Sequence, residues 1–191
     1  MLNRVARRID VAIVAYLALP LAVFLAGTFR PLPAAALVAL LGAGLFPLVR
    51  ATWRRGPDVR WTWFAVGFAV VLAVVWALLG GSGHVVYSQS DWMKHDSVYG
   101  DLSKMAWPPT YYASPVGDVV LRYYEAYYVV PAALTKAFGH HNLWMQAWTT
   151  LGVLLVALRV LASAQRKKAL LAMAFVLVFF GGLDVIGWLF M

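Results

Sequence analysis

Apolar residues fall into long runs separated by short polar breaks, and one break is far longer than the others. The first run extends from about Asp10 to Phe29, behind Arg4, Arg7 and Arg8. A second, rich in Ala, Leu and Gly, covers 32–49, and a third covers 61–79 and stops at Gly80-Gly81-Ser82-Gly83. Two more cover 143–162 and 169–191. Each run approaches the roughly 20 residues that a helix needs to cross a bilayer. The pattern predicts an all-α polytopic membrane protein with about five transmembrane helices, built as one membrane domain over 1–191. The first run follows arginines, as a signal peptide would. It is long, lacks a small-x-small cleavage site and leads straight into another apolar run, so it reads as an uncleaved span.

Composition agrees with this pattern. Of 191 residues, 63% are hydrophobic and 13% charged, with a mean hydropathy of +0.75. A soluble domain carries about 25% charged residues, so soluble enzymes, nucleic-acid modules and disordered tails are excluded. The expected surroundings are membrane lipid, with no nucleic-acid partner. Sixteen basic and eight acidic residues give a net charge of +8. The excess sits at the N-terminus, at Arg50, Arg54, Arg55 and Arg60, and at Arg159, Arg166, Lys167 and Lys168. Because Lys and Arg accumulate on cytoplasmic loops, five spans place the N-terminus inside a cell membrane and the loop 81–142 outside. There is no cysteine, which removes disulfides and thiol chemistry.

The long break is different in kind. Residues 84–142 hold five of the eight acids and all four histidines. A loop of this length in a compact protein is usually functional. Within it, 118–139 predicts a helix, with Tyr123/Tyr127 and Tyr124/Tyr128 at i,i+4 spacing. Its Arg122, Glu125 and Pro131 make a span unsuitable, so it is expected flat at the outer interface or as a re-entrant piece. Trp61, Trp63, Trp76, Trp144 and Trp148 read as interfacial anchors, whereas Trp92, Trp107, Tyr111 and Tyr112 lie where a sugar or lipid can be met.

The candidate chemistry concentrates in Gln89-Ser90-Asp91-Trp92-Met93-Lys94-His95-Asp96. On a helix, Asp91 shares a face with His95 at i,i+4 and with Lys94 at i,i+3. A carboxylate there can take a proton from a hydroxyl as general base, and Lys94, His95 or Arg122 can contact a phosphate. The plainer alternative is a solvated loop helix with surface ion pairs. Asp91, His95, Asp96, His84, His140 and His141 also offer ligands for a divalent metal, but no two-histidine helical zinc motif is present, so no cofactor is expected. Asp184 lies about 15 residues into the last run, roughly 22 Å from its basic end at 1.5 Å per residue. An ionisable residue inside a span is a functional candidate.

Ser90-Asp91-Trp92 with Lys94-His95, followed by Tyr127-Tyr128-Val129-Val130-Pro131-Ala132, resembles the GT-C class of polytopic glycosyltransferases. These use sugars carried on lipid phosphates and place an acid at the start of a large outer loop, just after a span. The stretch is also similar to bacterial membrane proteins with Asp-Trp-x-Lys-His, a Tyr-Tyr-rich helix and Gly-Leu-Asp near a span end, here Gly182-Leu183-Asp184. The resemblance covers 61–191. It implies transfer of a sugar from a polyprenyl-phosphate donor on the extracytoplasmic side, with Asp91 as base and Asp184 as a second acid. Trp92, Lys94, His95, Asp96 and Arg122 would touch substrate. Two spans precede the one that is first in that class, and five are fewer than its seven-helix core. The expectation is therefore that the chain is either an N-terminal portion, completed by further helices or a partner chain, or lacks a complete active site. The alternative from another class is a non-catalytic membrane scaffold that binds a partner through the outer loop.

Overall fold

The computed structural model describes residues 2–55, 62–85, 90–112, 117–161 and 167–180. Helices dominate, in the order α1 (Leu2–Thr28), α2 (Pro31–Arg55), α3 (Trp63–Leu79), α4 (Trp92–Lys104), α5 (Ala126–Phe138), α6 (His141–Leu161) and α7 (Lys167–Phe180). A two-stranded antiparallel ribbon, β1 (Thr110–Tyr111) and β2 (Val119–Val120), lies between α4 and α5. Three helices carry stretches long and apolar enough to cross a membrane: Arg8–Thr28, Pro31–Arg54 and His141–Leu161. Trp63–Leu79 and Lys168–Leu177 are apolar but shorter. The protein is thus an all-helical membrane protein in its main architecture.

Local chemistry explains the helix ends. Proline at the first position of α2 costs no hydrogen bond, because that N–H would be unpaired anyway. Thr62 caps α3, its hydroxyl accepting from Ala65 N at 3.1 Å. Gly81, at φ +79°, turns the chain beyond α3, a conformation glycine adopts without steric cost. Pro20 and Pro47 lie inside α1 and α2, as apolar membrane helices tolerate.

Two cores form, each suited to its surroundings. Along α3, Ala65, Ala69, Ala73 and Ala77 make a buried stripe at i,i+4 spacing, and α6 packs on it. Lipid offers no hydrophobic drive for helices to associate, so close backbone approach over small residues supplies the attraction. Ala157 and Leu161 of α6 and Leu170 and Ala174 of α7 complete this core. The second core joins α4, α5 and α6 through Val98, Tyr99, Leu102, Tyr128, Ala132 and Met145.

The helix α1 lies antiparallel to α6. The Asp10 carboxylate meets Arg159 Nε at 2.7 Å. Farther along, the Tyr16 ring stacks on Trp148 at 4.0 Å between centroids, and its hydroxyl donates to Trp148 O. These contacts gather the start of α1 and the end of α6 at one basic end of the bundle. The layer of α4, the ribbon and α5 covers the other end.

The structure corrects three sequence expectations. The predicted helix over 118–139 begins only at Ala126, because Val119 and Val120 pair with Thr110 and Tyr111 and Leu121 N donates to Pro109 O at 2.9 Å. Of the two placements expected for this helix, flat at the surface or re-entrant, the structure corrects the flat one. The helix packs among α1, α4 and α6, and Tyr128, Val129, Val130, Pro131 and Ala132 are all buried. Trp148 is not an exposed interfacial anchor, since only 6% of it is accessible beneath Tyr16.

The junction between α1 and the polar layer is tight. A Cβ on Gly27 would stand 2.2 Å from Trp107 Cε3. Trp107 cannot easily yield, because its Nε1 donates to Leu102 O at 2.7 Å and Lys136 Nζ covers the ring at 4.6 Å. Gly27→Ala is therefore expected to destabilise the fold by about 1–3 kcal/mol through overpacking. Gly42→Ala, with open space around its Cβ, should gain up to about 1 kcal/mol of helix propensity. Unfolding of the detergent-solubilised variants checks both signs.

Candidate functional site

The site starts where α3 stops. Gly80 N donates to Trp76 O at 2.8 Å, ending the helix, and the Ser82 hydroxyl donates to Gln146 Oε1 at 2.8 Å, fixing the turn to α6. The chain then returns as α4. Trp92 Nε1 donates to Gly80 O at 2.9 Å, so the first turn of α4 sits over the end of α3. This places Asp91, which occupies the N-cap position without capping the helix through its side chain, at the rim of the bundle.

The expected spacing holds. Asp91 Oδ1 is 2.7 Å from Lys94 Nζ, and Asp91 Oδ2 is 3.2 Å from His95 Nε2. Asp91 is 62% exposed and Lys94 51%, so this is a solvated pair, of the kind that salt screens. The hydrogen bond from Lys94 lowers the Asp91 pKa first, and that from His95 adds to it. The Lys94 pKa rises in return, through the same bond to Asp91. Asp91 is thus an ionised carboxylate at neutral pH, the form in which a general base accepts a proton.

His95 carries the arrangement inward. Its Nδ1 bonds to the Tyr128 hydroxyl of α5, and its ring lies 5.2 Å from that of Trp92. Burial, with the neighbouring charges adding to it, pushes the Tyr128 phenol up to about 12. Tyr128 therefore keeps its proton and donates it to Nδ1, leaving the Nε2 proton to face Asp91. A carboxylate, an imidazole and a phenol form one chain from the exposed rim to the buried core.

Of the other candidates, Asp96 accepts from His84 Nε2 at 2.9 Å, and the His84 ring meets Trp92 edge-on at 5.8 Å. His84 adopts φ +54° to reach this position, a rare conformation for a residue with a side chain. Arg122 stands apart from Asp91, in an open cleft formed by 121–125. Its neighbour Tyr123 lies near enough to Lys94 to help raise the Lys94 pKa, behind the larger effect of Asp91. Asp184 lies outside the described residues. His141 stacks on Tyr99 at 3.7 Å. Asp91–His95 and Asp96–His84 remain separate pairs, and no group of three metal-ligating side chains converges among the described residues. Trp92 and Trp107 spend their indole N–H groups on backbone carbonyls.

Tyr128 was legible as part of the Tyr-Tyr motif, but its bond to His95 was not. It lies 33 residues from His95, beyond any helical periodicity.

Two apolar hollows lie on the helical side of the site. One, of about 270 Å³, runs along α3 past Leu72, Val75, Trp76 and Leu79 to Gly80, the residue that holds Trp92. The second, of about 330 Å³, shares Trp76 with the first and is lined also by Tyr16, Tyr127, Thr149, Val153 and Leu177. The Tyr127 hydroxyl is bonded to Thr149.

The chain matches no protein-family model, no curated protein and no solved structure.

The folded-state Asp91 pKa is depressed, so its pairing favours the fold above the ordinary carboxylate value of 3.8 and that contribution is lost as pH falls through the lower folded value. Lys94 acts in the opposite sense, favouring the fold below 10.5 and losing its contribution as pH rises through its raised value. In protein carrying ¹³C-labelled aspartate, the Asp91 carboxyl should titrate below 3.8, and Lys94→Met should move it back toward that value. An unmoved titration would remove Lys94 as the principal cause.

Proposed function

We propose that the chain is a GT-C-like integral membrane glycosyltransferase that moves a sugar from a polyprenyl-phosphate donor to an acceptor hydroxyl. The observation that carries this reading is the position of Asp91: an ionised, exposed carboxylate oriented by His95, beside a cation, and next in sequence to Trp92, whose indole N–H holds Gly80 at the end of an apolar groove. Such a groove suits an isoprenoid chain, and Lys94 at its head suits a phosphate.

In this reading the acceptor oxygen attacks the anomeric carbon, and the bond from that carbon to the phosphate oxygen breaks. The electron pair leaves on the polyprenyl phosphate, and the acceptor proton passes to Asp91. Lys94 exchanges its carboxylate partner for the phosphate and offsets the charge that develops there. His95 remains a positioning residue, because its Nδ1 is occupied by Tyr128 and its Nε2 proton by Asp91. Trp92 and Asp96 flank the reacting centre, and Asp184 would be a second acid.

The five-span topology belongs to the same proposal. In it α3 and α7 join the three long helices as spans, the basic ends face the cytoplasm, and the layer around α4 and α5 lies outside. The cysteine-free chain permits a direct check with an impermeant maleimide on intact cells. Asp118→Cys should label and Trp53→Cys should not; the reverse pattern inverts the topology.

Membranes containing the protein, supplied with polyprenyl phosphates bearing radiolabelled glucose, mannose or arabinose, test the chemistry. Asp91→Asn should reduce transfer at least 10²-fold, the range of a lost general base, while Asp101→Asn, whose carboxylate holds the Tyr111 hydroxyl, should retain most of it. Full activity in Asp91→Asn would remove Asp91 as the base, and no transfer by the parent protein from any of the donors would leave the scaffold reading.

A further inference from the structure

The cleft at 121–125 has an open volume of about 540 Å³, lined by Leu121, Arg122, Tyr123, Tyr124 and Glu125. Five consecutive residues can surround one hollow because none of them is helical. Both ends of the segment are anchored. Leu121 N donates to Pro109 O at 2.9 Å, and Glu125 O accepts from Tyr128 N at 2.9 Å as α5 begins. Glu125 N also donates to Tyr123 O at 2.9 Å, tightening the turn between them. The hollow is therefore part of the fold's framework.

Its chemistry is mixed. Tyr124 is 82% exposed, the most open tyrosine among the described residues, and its ring lies against Tyr123 at 4.9 Å. Arg122 makes no hydrogen bond or ion pair among the described residues, and Glu125, three positions on, has no cationic partner there either. Partial burial raises the Glu125 pKa. A guanidinium offers five donors and a carboxyl offers acceptors, both beside a flat aromatic face. An inorganic anion would use the arginine but meet the carboxyl. A neutral ring bearing several hydroxyls uses both and stacks its C–H face on the tyrosine.

We infer that this cleft is a saccharide-binding subsite, with Tyr124 as the stacking platform and Arg122 and Glu125 as hydroxyl partners. Tyr123 lines the cleft and also approaches Lys94, which is bonded to Asp91. A single side chain therefore separates the subsite from the carboxylate. On the glycosyltransferase reading given above, on which this assignment of role rests, the occupant is the acceptor glycan, whose terminal hydroxyl is presented to Asp91.

The test reads binding alone, with no donor present. The detergent-solubilised protein is mixed with maltotriose, α-1,6-mannotriose or α-1,5-arabinotriose, and saturation-transfer NMR is recorded from protein to sugar. At least one trisaccharide should receive saturation, and Tyr124→Ala and Arg122→Met should each reduce it at least 10-fold. Both side chains are exposed, so the variants should keep the elution volume and circular dichroism of the parent. Absence of transfer to all three sugars would overturn the site, as would transfer indifferent to Tyr124 and Arg122, or complete displacement by 10 mM inorganic phosphate. A protein that binds a trisaccharide through Tyr124 but transfers no sugar keeps the subsite and loses the transferase reading. Transfer through Asp91 with binding indifferent to Tyr124 does the opposite.

Discussion

The polar end of this protein depends on the burial of five consecutive residues, Tyr128 to Ala132. A helical stretch apolar on every side belongs inside a structure, and this part of α5 packs against α1, α4 and α6. Once it is inside, the Tyr99 hydroxyl can donate to His141 O at 2.7 Å and accept from Thr135 at 2.7 Å, joining α4 to α5 and to the start of α6. The same burial presents the Tyr128 phenol to His95. Removing α5 from this position would release both the second core and the inner end of the Asp91 chain.

The two cores differ in the size of the side chains that meet in them. Between α3 and α6, alanines let the two backbones approach closely. Around α4 and α5 the core is larger-sided and aromatic, built on Tyr99, Tyr128 and Met145. Trp92 joins the two regimes: its indole N–H holds the last carbonyl of the α3 end, while its ring packs beside His95.

The parts of this architecture legible in the sequence are those governed by local spacing. Long apolar runs mark α1, α2 and α6, and i,i+3 and i,i+4 positions bring Lys94 and His95 to Asp91. What could not be read is set by distant contacts. The helix expected from residue 118 rested on tyrosine periodicity, yet ribbon pairing to Thr110 and Tyr111 competes for the same backbone and wins through Val120. That shortening changes the character of α5. Arg122 and Glu125, which argued for a surface helix, fall outside it, and the remaining residues are apolar enough to be enclosed. The expectation of a flat surface helix thus follows from the misplaced first residue.

Asp91 has two partners of unequal kind, and the difference bears on how such a site could work. Lys94 meets it in water, where the attraction is screened and the long side chain is free to leave. His95 is 28% exposed and is held from behind by a phenol that burial keeps protonated. Orientation therefore comes from the imidazole, and the ammonium remains exchangeable. A site arranged in this way can give up its cation to an arriving anion without losing the direction of its carboxylate. The reverse arrangement, with lysine buried and histidine exposed, would have fixed the charge and freed the base.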